Sequence, residues 1–470
     1  MRVIKNYFYN ISYQIFILMI PLMTTPYLAR VLGPKGVGIN AYTNSIIQYF
    51  ILFGGIGINL YGNRQIAFVR DSRKEMTTVF WEIFSLRLVT VGISSFIFLI
   101  FLSFTTEYQI YYLAQFISLL AVALDISWFF MGIEDFGITV LRNVLVKIAT
   151  LICIFTFVKT SDDLTLYILI LSLSLILGNM VFFLNLFKYI DRPKLSKLIL
   201  LKHFKPALLL FIPQIATQVY VVMNKTMLGS MVSIQDSGYF DLSDKIIKVV
   251  LAVVTAVGTV MLPRVANAYA NGKIKKTKDY LYGSFSFVTF LSVPIVFGLA
   301  AVASEFVPLF FSKKFNNVTP IMLIETVIIL LIAWSNTVGT QYLLPTNQTK
   351  AYTQSVIIGA VVNLVANIPL IMMYGAIGAA IATVLSEVAV TLIQLIALKE
   401  QVNYRKLFAE CHKYFLAGLM MFLLIKILGI YLNSSWLSIF IEMIVGLSSY
   451  LILLVIFKIK LLKKVKQLFL

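Results

Sequence analysis

Charged residues are scarce in this sequence, and histidine and cysteine are almost absent. Only 13% of the 470 residues are charged and 60% are hydrophobic, and the chain has two cysteines and two histidines. A soluble globular protein carries about 25% charged residues, so a chain of this composition could not cover its own surface in water. The cysteines and histidines are too few and too scattered for a disulfide framework or a metal site. We expect neither, and no cofactor.

Long apolar segments fill the sequence instead. A helix needs about 20 mostly apolar residues to cross a bilayer, and segments of that length recur from end to end. The predicted fold class is therefore an all-α polytopic membrane protein with about 14 transmembrane helices. The first segment contains Pro21 and Pro26 and is too long for a cleaved signal peptide, so we expect it to stay as an anchor. The predicted spans are 9–31, 38–62, 77–102, 108–131, 138–158, 164–187, 206–228, 239–262, 279–303, 319–342, 351–373, 376–398, 413–432 and 436–457.

The basic residues are distributed unevenly between the two sides of these spans. With the N-terminus inside, 28 of the 39 Lys and Arg fall in inner connections and termini, and five fall outside. Cytoplasmic connections carry such an excess, so both termini are predicted to be cytoplasmic. The net charge of +19 follows mostly from the excess of Lys and Arg in the cytoplasmic connections. We therefore expect no nucleic-acid partner.

The chain also repeats itself at an offset of about 200 residues. GINAYTNSII (38–47) aligns without a gap on GYFDLSDKII (238–247), and the same offset places Arg64 on Arg264. Both halves begin inside, which predicts two parallel six-helix bundles with a site between them, plus two extra C-terminal helices. The predicted parts are an N-terminal lobe 1–190, a basic cytoplasmic linker 191–205, a C-terminal lobe 206–400, and two additional helices with a basic cytoplasmic tail 401–470.

Six basic residues lie inside the predicted spans. A charged side chain at mid-helix costs about 2.5–3.5 kcal/mol on insertion scales, so these residues are expected to face partners or water rather than lipid. They are Arg87, Lys147, Lys225, Lys245, Lys248 and Lys426.

One predicted helix carries a charged face. Asp241, Asp244, Lys245 and Lys248 are spaced at i, i+3, i+4 and i+7, with two acid-to-lysine pairs at i,i+4. This pattern fits a self-neutralised helix end in external water. It also fits the wall of a wet cavity, which the small residues Ala252, Thr255 and Thr259 on the same face favour.

Alternatives stay open for the other intramembrane charges. Arg87 and Lys147 could form a structural ion-pair cluster with Glu82 and Asp125 that holds the first bundle together, or they could contact substrate. Lys225 could snorkel outward or face a cavity. Lys426 and Glu442 sit at similar depths in the last two spans and are expected to pair.

Motifs for enzymatic chemistry are missing. The glycine-rich GGIGINLYGNR (54–64) ends a membrane helix rather than following a strand, so it is no dinucleotide-binding site. No P-loop occurs, and Ser, Cys and His form no nucleophilic set. The external connections are short, so we predict a transporter and not an enzyme.

Several stretches resemble the Wzx-type oligosaccharide flippases, which share a superfamily with multidrug exporters and lipid II flippases. The stretches are YLARVLGPKGVG (27–38), LYGNRQIA (60–67), DISWFFMGIEDF (125–136), NKTMLG (224–229), GYFDLSDKI (238–246) and MLPRVANAYANGK (261–273). The resemblance implies outward transfer of undecaprenyl-pyrophosphate-linked oligosaccharide across the bacterial plasma membrane by alternating access, for polysaccharide synthesis. It implies a lipid-bilayer setting, with a polysaccharide polymerase and chain-length machinery as candidate partners.

The resemblance also implies a cationic cavity, whose Arg and Lys side chains would hold the pyrophosphate. The candidate substrate-binding residues are Arg30, Lys225, Lys245, Lys248, Arg264, Arg64, Arg87 and Lys147. The candidate coupling or pairing acids are Asp125, Asp241, Asp244 and Glu134. Family members often carry an acid where Asn224 stands here, which leaves ion coupling open. The alternative function is a drug or metabolite exporter of the same fold.

Overall fold

The computed structural model describes residues 2–192 and 199–459, and every regular element in this part of the chain is helical. Parts of the predicted linker and of the C-terminal tail therefore lie outside the described residues. The α-helices are α1 (Arg2–Gly55), α2 (Ile58–Val69), α3 (Arg73–Phe104), α4 (Gln109–Ala123), α5 (Ser127–Gly132), α6 (Phe136–Phe157), α7 (Leu164–Leu186), α8 (Leu201–Met231), α9 (Ile234–Ala270), α10 (Ile274–Phe310), α11 (Val318–Ser335), α12 (Thr349–Ala397), α13 (Tyr404–Leu407), α14 (Cys411–Tyr431) and α15 (Trp436–Ile456). Short 3₁₀ turns occupy Ser161–Asp163 and Lys313–Phe315, and α11 continues into a π-helix at Asn336–Leu343.

Eleven helical segments of the described chain are long and apolar enough to cross a membrane. Two of them are broken by a glycine with positive φ, Gly33 (φ 66°) in α1 and Gly375 (φ 55°) in α12. Glycine adopts this conformation at little cost, and Pro34 further disfavours helical geometry at Gly33. Each break falls between two predicted spans. The predicted all-α polytopic membrane fold is confirmed, and the predicted number of spans agrees roughly with this pattern.

By their internal packing, the helices form two units, Met1–Gly238 and Tyr239–Leu470. Helix α8, which the sequence assigns to the second lobe, packs in the first unit against α1, α2 and α3. The lobe limits 1–190 and 206–400 stay a prediction, because internal packing does not test a repeat.

An aromatic cluster at the centre of the first unit explains the segment DISWFFMGIEDF. Trp128, Phe129 and Phe130 are fully buried, and Phe80 stacks on the Trp128 ring with centroids 5.4 Å apart. Helix α2 approaches this cluster at Gly62, where a Cβ atom would lie 2.5 Å from Trp128 Cε3. Only glycine therefore allows α2 and α5 to pack this closely.

The two C-terminal helices α14 and α15 pack on α10 in the second unit. Tyr414 and Tyr450 are fully buried there, and the Tyr450 hydroxyl donates to the Phe290 carbonyl at 3.1 Å. The opposite face of α15 is apolar and exposed, with Phe440 and Val455 among its residues. An apolar outer face of this kind suits contact with lipid tails.

Candidate functional site

Arg30 lies on α1, about one turn before the break at Gly33. Its side chain is exposed, whereas the neighbouring Leu28 and Ala29 are buried. The Tyr27 hydroxyl donates to the Val158 carbonyl at 2.5 Å, which fixes the part of α1 before the break to the end of α6. The guanidinium group is thus presented on a positioned helix rather than on a loop.

Arg64 and Arg264 are both exposed, each within its own unit. Arg64 lies on α2, with its guanidinium carbon 5.9 Å from the centre of the Tyr61 ring. Arg264 lies on α9, directly after Pro263. Their equivalence in a repeat stays a prediction, but both are accessible to an anion in this conformation.

The charged face of α9 contains the two ion pairs that its spacing predicts. Lys245 Nζ lies 2.5 Å from Asp241 Oδ2, and Lys248 Nζ lies 2.7 Å from Asp244 Oδ2. The aspartates are largely buried, whereas the lysine side chains are 39% and 46% exposed. Each lysine therefore keeps one side open to a ligand while an aspartate fixes its position.

Arg87 occupies a different environment, because its side chain is fully buried in the first unit. It donates to Asn59 Oδ1 and to the Asp125 carbonyl, both at 2.8 Å, and its second terminal nitrogen lies 3.5 Å from Asp125 Oδ2. Asp125 also accepts from the Ser127 amide and, through its carbonyl, from the Trp128 indole. In this conformation Arg87 joins α2 and α3 to the start of α5, and it is closed to any ligand.

Lys147 and Lys225 are half-buried in the first unit. Lys147 forms no ion pair with any residue of the described chain, and it lies near Arg142, which bonds to Gly178 and Asn179 on α7. Lys225 adjoins Thr226, whose hydroxyl lies 2.8 Å from the Ser45 hydroxyl on α1. The neighbouring Asn224 is buried.

The fourth candidate acid, Glu134, is exposed and pairs with Arg70 at 2.7 Å. All four candidate acids therefore lie beside a basic side chain: Asp125 with Arg87, Glu134 with Arg70, Asp241 with Lys245, and Asp244 with Lys248.

A buried network in the first unit gives Glu82 partners that the sequence did not predict. Glu82 Oε2 lies 2.6 Å from Lys202 Nζ and 2.9 Å from His203 Nε2, and the other ring nitrogen of His203 lies 2.7 Å from the Tyr61 hydroxyl. The network ties α2 and α3 to the start of α8. The sequence does show a glutamate inside an apolar helix, which indicates that Glu82 needs a partner. It does not identify the partners, because they lie about 120 positions away.

The predicted Lys426–Glu442 pair is wrong. No ion pair joins these residues, and Lys426 Nζ instead lies 3.5 Å from the Ser304 hydroxyl. Similar depth in neighbouring helices does not fix rotation about each helix axis, and Glu442 turns toward Gly429 and Glu305.

The chain is similar to proteins of known family and fold. Residues 3–269 match the family described as "Polysaccharide biosynthesis protein". The chain is 25% identical to the "Putative O-antigen transporter" of Escherichia coli (strain K12) over 399 residues, which are 81% of this chain and 93% of that protein. The solved structure of lipid II flippase MurJ in an inward closed conformation aligns with a TM-score of 0.78 at 19% identity, covering 96% of this chain and 98% of that chain.

A second solved fold is less similar. An inward-facing multidrug resistance transporter of the MATE family and MOP superfamily gives a TM-score of 0.59 at 12% identity, covering 88% of this chain and 95% of that chain.

The long apolar helices define a multi-pass membrane protein. Its fold is that of the solved flippase and exporter structures. The chain belongs to the polysaccharide biosynthesis protein family, since the match covers more than half of its residues. This confirms the resemblance stated from the sequence. The relatives carry the names of transporters and flippases, which confirms the prediction of a transporter rather than an enzyme.

Proposed function

We propose that this protein is a flippase for undecaprenyl-pyrophosphate-linked oligosaccharide repeat units, which it transfers to the outer face of a bacterial plasma membrane by alternating access. Family membership supports this proposal, as does similarity along most of the chain to a protein named for O-antigen transport. The structural observation that carries it is a set of accessible cations, Arg30, Arg64, Arg264, Lys245 and Lys248, on helices of an otherwise apolar protein.

The chemistry of the cargo suits such side chains. A pyrophosphate carries at least two negative charges, so it cannot enter hydrocarbon without cationic partners. Arginine offers a planar fork to phosphate oxygens, and lysine offers a mobile point charge. In the proposed cycle these residues each contribute to holding the pyrophosphate, and not all need face it at once. The sugars stay in water and the polyprenyl chain stays in lipid. Arg87 takes no part in this conformation, because it is buried.

The proposal includes a topology. Both termini and the segments 188–205 and 264–278 are cytoplasmic, on the charge asymmetry of the sequence. Single cysteines replacing Thr160 or Asn316, in a protein without Cys153 and Cys411, should react with an impermeant thiol reagent in intact cells. A cysteine replacing Ile274 should not react. The inverse labelling pattern would contradict this orientation.

The function is tested by surface polysaccharide in a strain that lacks the natural gene. Arg30→Glu should reduce surface polysaccharide at unchanged protein level in the membrane, because a carboxylate repels pyrophosphate. Arg30→Lys should restore part of it, since the charge survives without the bidentate fork. Lys314→Glu, at an exposed site outside the proposed set, is the matched control.

Normal polysaccharide from well-expressed Glu variants of all five accessible cations would contradict the flippase. An exporter of the same fold would then be the better account. Polymerase and chain-length proteins are proposed as partners because the transferred unit would be their substrate.

A further inference from the structure

Two glutamates from different helices face one small space in the second unit. Glu305 comes from α10 and Glu442 from α15, and between them lies Gly429 of α14. A Cβ atom on Gly429 would lie 3.0 Å from Glu305 Oε1 and 3.3 Å from Glu442 Oε1. The glycine therefore leaves the room that the two carboxyl groups occupy. None of these residues belongs to the proposed substrate path.

One oxygen of each carboxyl group lacks a hydrogen-bond donor in the described part of the chain. Glu442 is 1% exposed, and its Oε1 accepts no hydrogen bond from the described residues. Glu305 Oε2 is likewise buried without a partner in that part of the chain. A buried carboxylate without hydrogen bonds is strongly disfavoured, at a cost of several kcal/mol. Two such carboxylates beside each other are disfavoured further by their mutual repulsion.

Among the described residues, one cation faces the pair. Lys426 of α14 lies near Glu442, but its Nζ is beyond ion-pair distance of both carboxyl groups and contacts Ser304 Oγ at 3.5 Å and the Phe422 ring at 6.0 Å. From the three packed helices, the charged groups at this place are thus Glu305, Lys426 and Glu442. With all three ionised the cluster carries one uncompensated negative charge.

We propose that Glu305 and Glu442 together bind one proton, with Lys426 balancing the remaining carboxylate. The proton comes from water and forms an O–H bond on one carboxyl oxygen, which donates to the other carboxylate. This gives a donor to a cluster in which Glu442 Oε1 has none, and it brings the net charge of the cluster to zero.

The site suits a proton better than a metal cation. Hard cations take about six or more oxygen ligands, whereas this space offers two carboxyl groups and one hydroxyl. Among the described residues no cluster of three or more His, Cys, Asp or Glu is placed to hold a metal ion.

Infrared difference spectroscopy of the purified full-length protein tests the proposal. The wild type should show the absorbance of a protonated carboxyl group at neutral pH, and Glu305→Gln or Glu442→Gln should each remove the amount that one group contributes. Glu107→Gln, at an exposed carboxylate, is the control and should leave the band unchanged. Lys426→Met should enlarge the band, because the second carboxylate then also takes up a proton. A band unaffected by both Gln variants would overturn the proposal.

Thermal unfolding at several pH values gives a second readout. The folded pair keeps a proton at neutral pH, where the glutamates of the unfolded chain are already ionised. The contribution of the pair to stability should therefore fall as the pH rises. Glu442→Gln imitates the protonated form and should flatten this dependence. If stability instead follows sodium concentration at constant pH, and Glu442→Gln abolishes that dependence, the site binds an alkali ion and the proton assignment is wrong. Neither readout requires transport, so either can fail while the proposed flippase function stands.

Discussion

Two charged regions of this protein look alike in sequence and differ in structure. In the first unit Arg87 is fully buried and Asp125 is largely buried. The two residues pair with each other, and Arg87 also bonds to Asn59. On α9 of the second unit, Lys245 and Lys248 also pair with aspartates, yet their own side chains stay half-exposed. The cost of a charge in a membrane helix therefore identifies residues that need partners. Exposure then separates the cations that hold helices together from those that can meet a substrate.

The largest effect on stability is expected from Arg87→Ala. Removing one member of a buried ion pair leaves the other uncompensated and costs about 3–5 kcal/mol. Thermal unfolding of the purified protein and its abundance in membranes should both fall markedly. Arg64→Ala, an exposed arginine on α2, is the control and should shift unfolding by no more than about 0.5 kcal/mol. Equal shifts in the two variants would break the distinction between buried and exposed cations.

A smaller loss is expected from Gly62→Ala. The new methyl group would meet the Trp128 ring at 2.5 Å, and overpacking of this kind costs about 1–3 kcal/mol. Gly92→Ala in α3 is the matched control, because nothing lies within 4 Å of a Cβ there, and it should be neutral or slightly stabilising. Similar melting temperatures for both variants would show that α2 and α5 do not need their close approach.

The smallest effect is expected from Arg70→Ala. Arg70 and Glu134 pair at 2.7 Å, but both are exposed, and water and salt weaken such pairs. The paired Glu134 carboxylate raises the pKa of Arg70, which leaves this arginine charged at any physiological pH. A double-mutant cycle with Glu134→Ala should give a coupling close to the error of the unfolding measurement. A coupling as large as the Arg87→Ala effect would show that exposure does not separate the two kinds of pair.

Much of the fold could be predicted from the sequence, because a helix that crosses a bilayer needs a long apolar segment. The break in α1 could be predicted from a glycine followed by a proline. The i,i+4 pairs of α9 could be predicted as well, since helix geometry alone brings their partners together. The partners of Glu82 could not, because Lys202 and His203 lie on another helix far along the chain. The predicted pairing of Lys426 with Glu442 was wrong for a related reason, because depth in the membrane does not fix the rotation of a helix about its axis. Contacts between helices depend on packing, and a single sequence does not show that packing.

In the proposed flippase, accessible cations rather than buried ones bind the pyrophosphate. Reconstituted vesicles containing a labelled polyprenyl-pyrophosphate oligosaccharide on one leaflet test it most directly, by the rate at which the label reaches the other leaflet. Arg30→Glu and Lys248→Glu should each lower this rate by about tenfold or more, since tenfold corresponds to about 1.4 kcal/mol of lost interaction. Lys314→Glu should leave the rate at the wild-type value. The variants are compared at equal amounts of folded protein, because Lys248→Glu also loses its ion pair with Asp244. Wild-type transfer rates in well-folded Arg30→Glu and Lys248→Glu proteins would contradict the account.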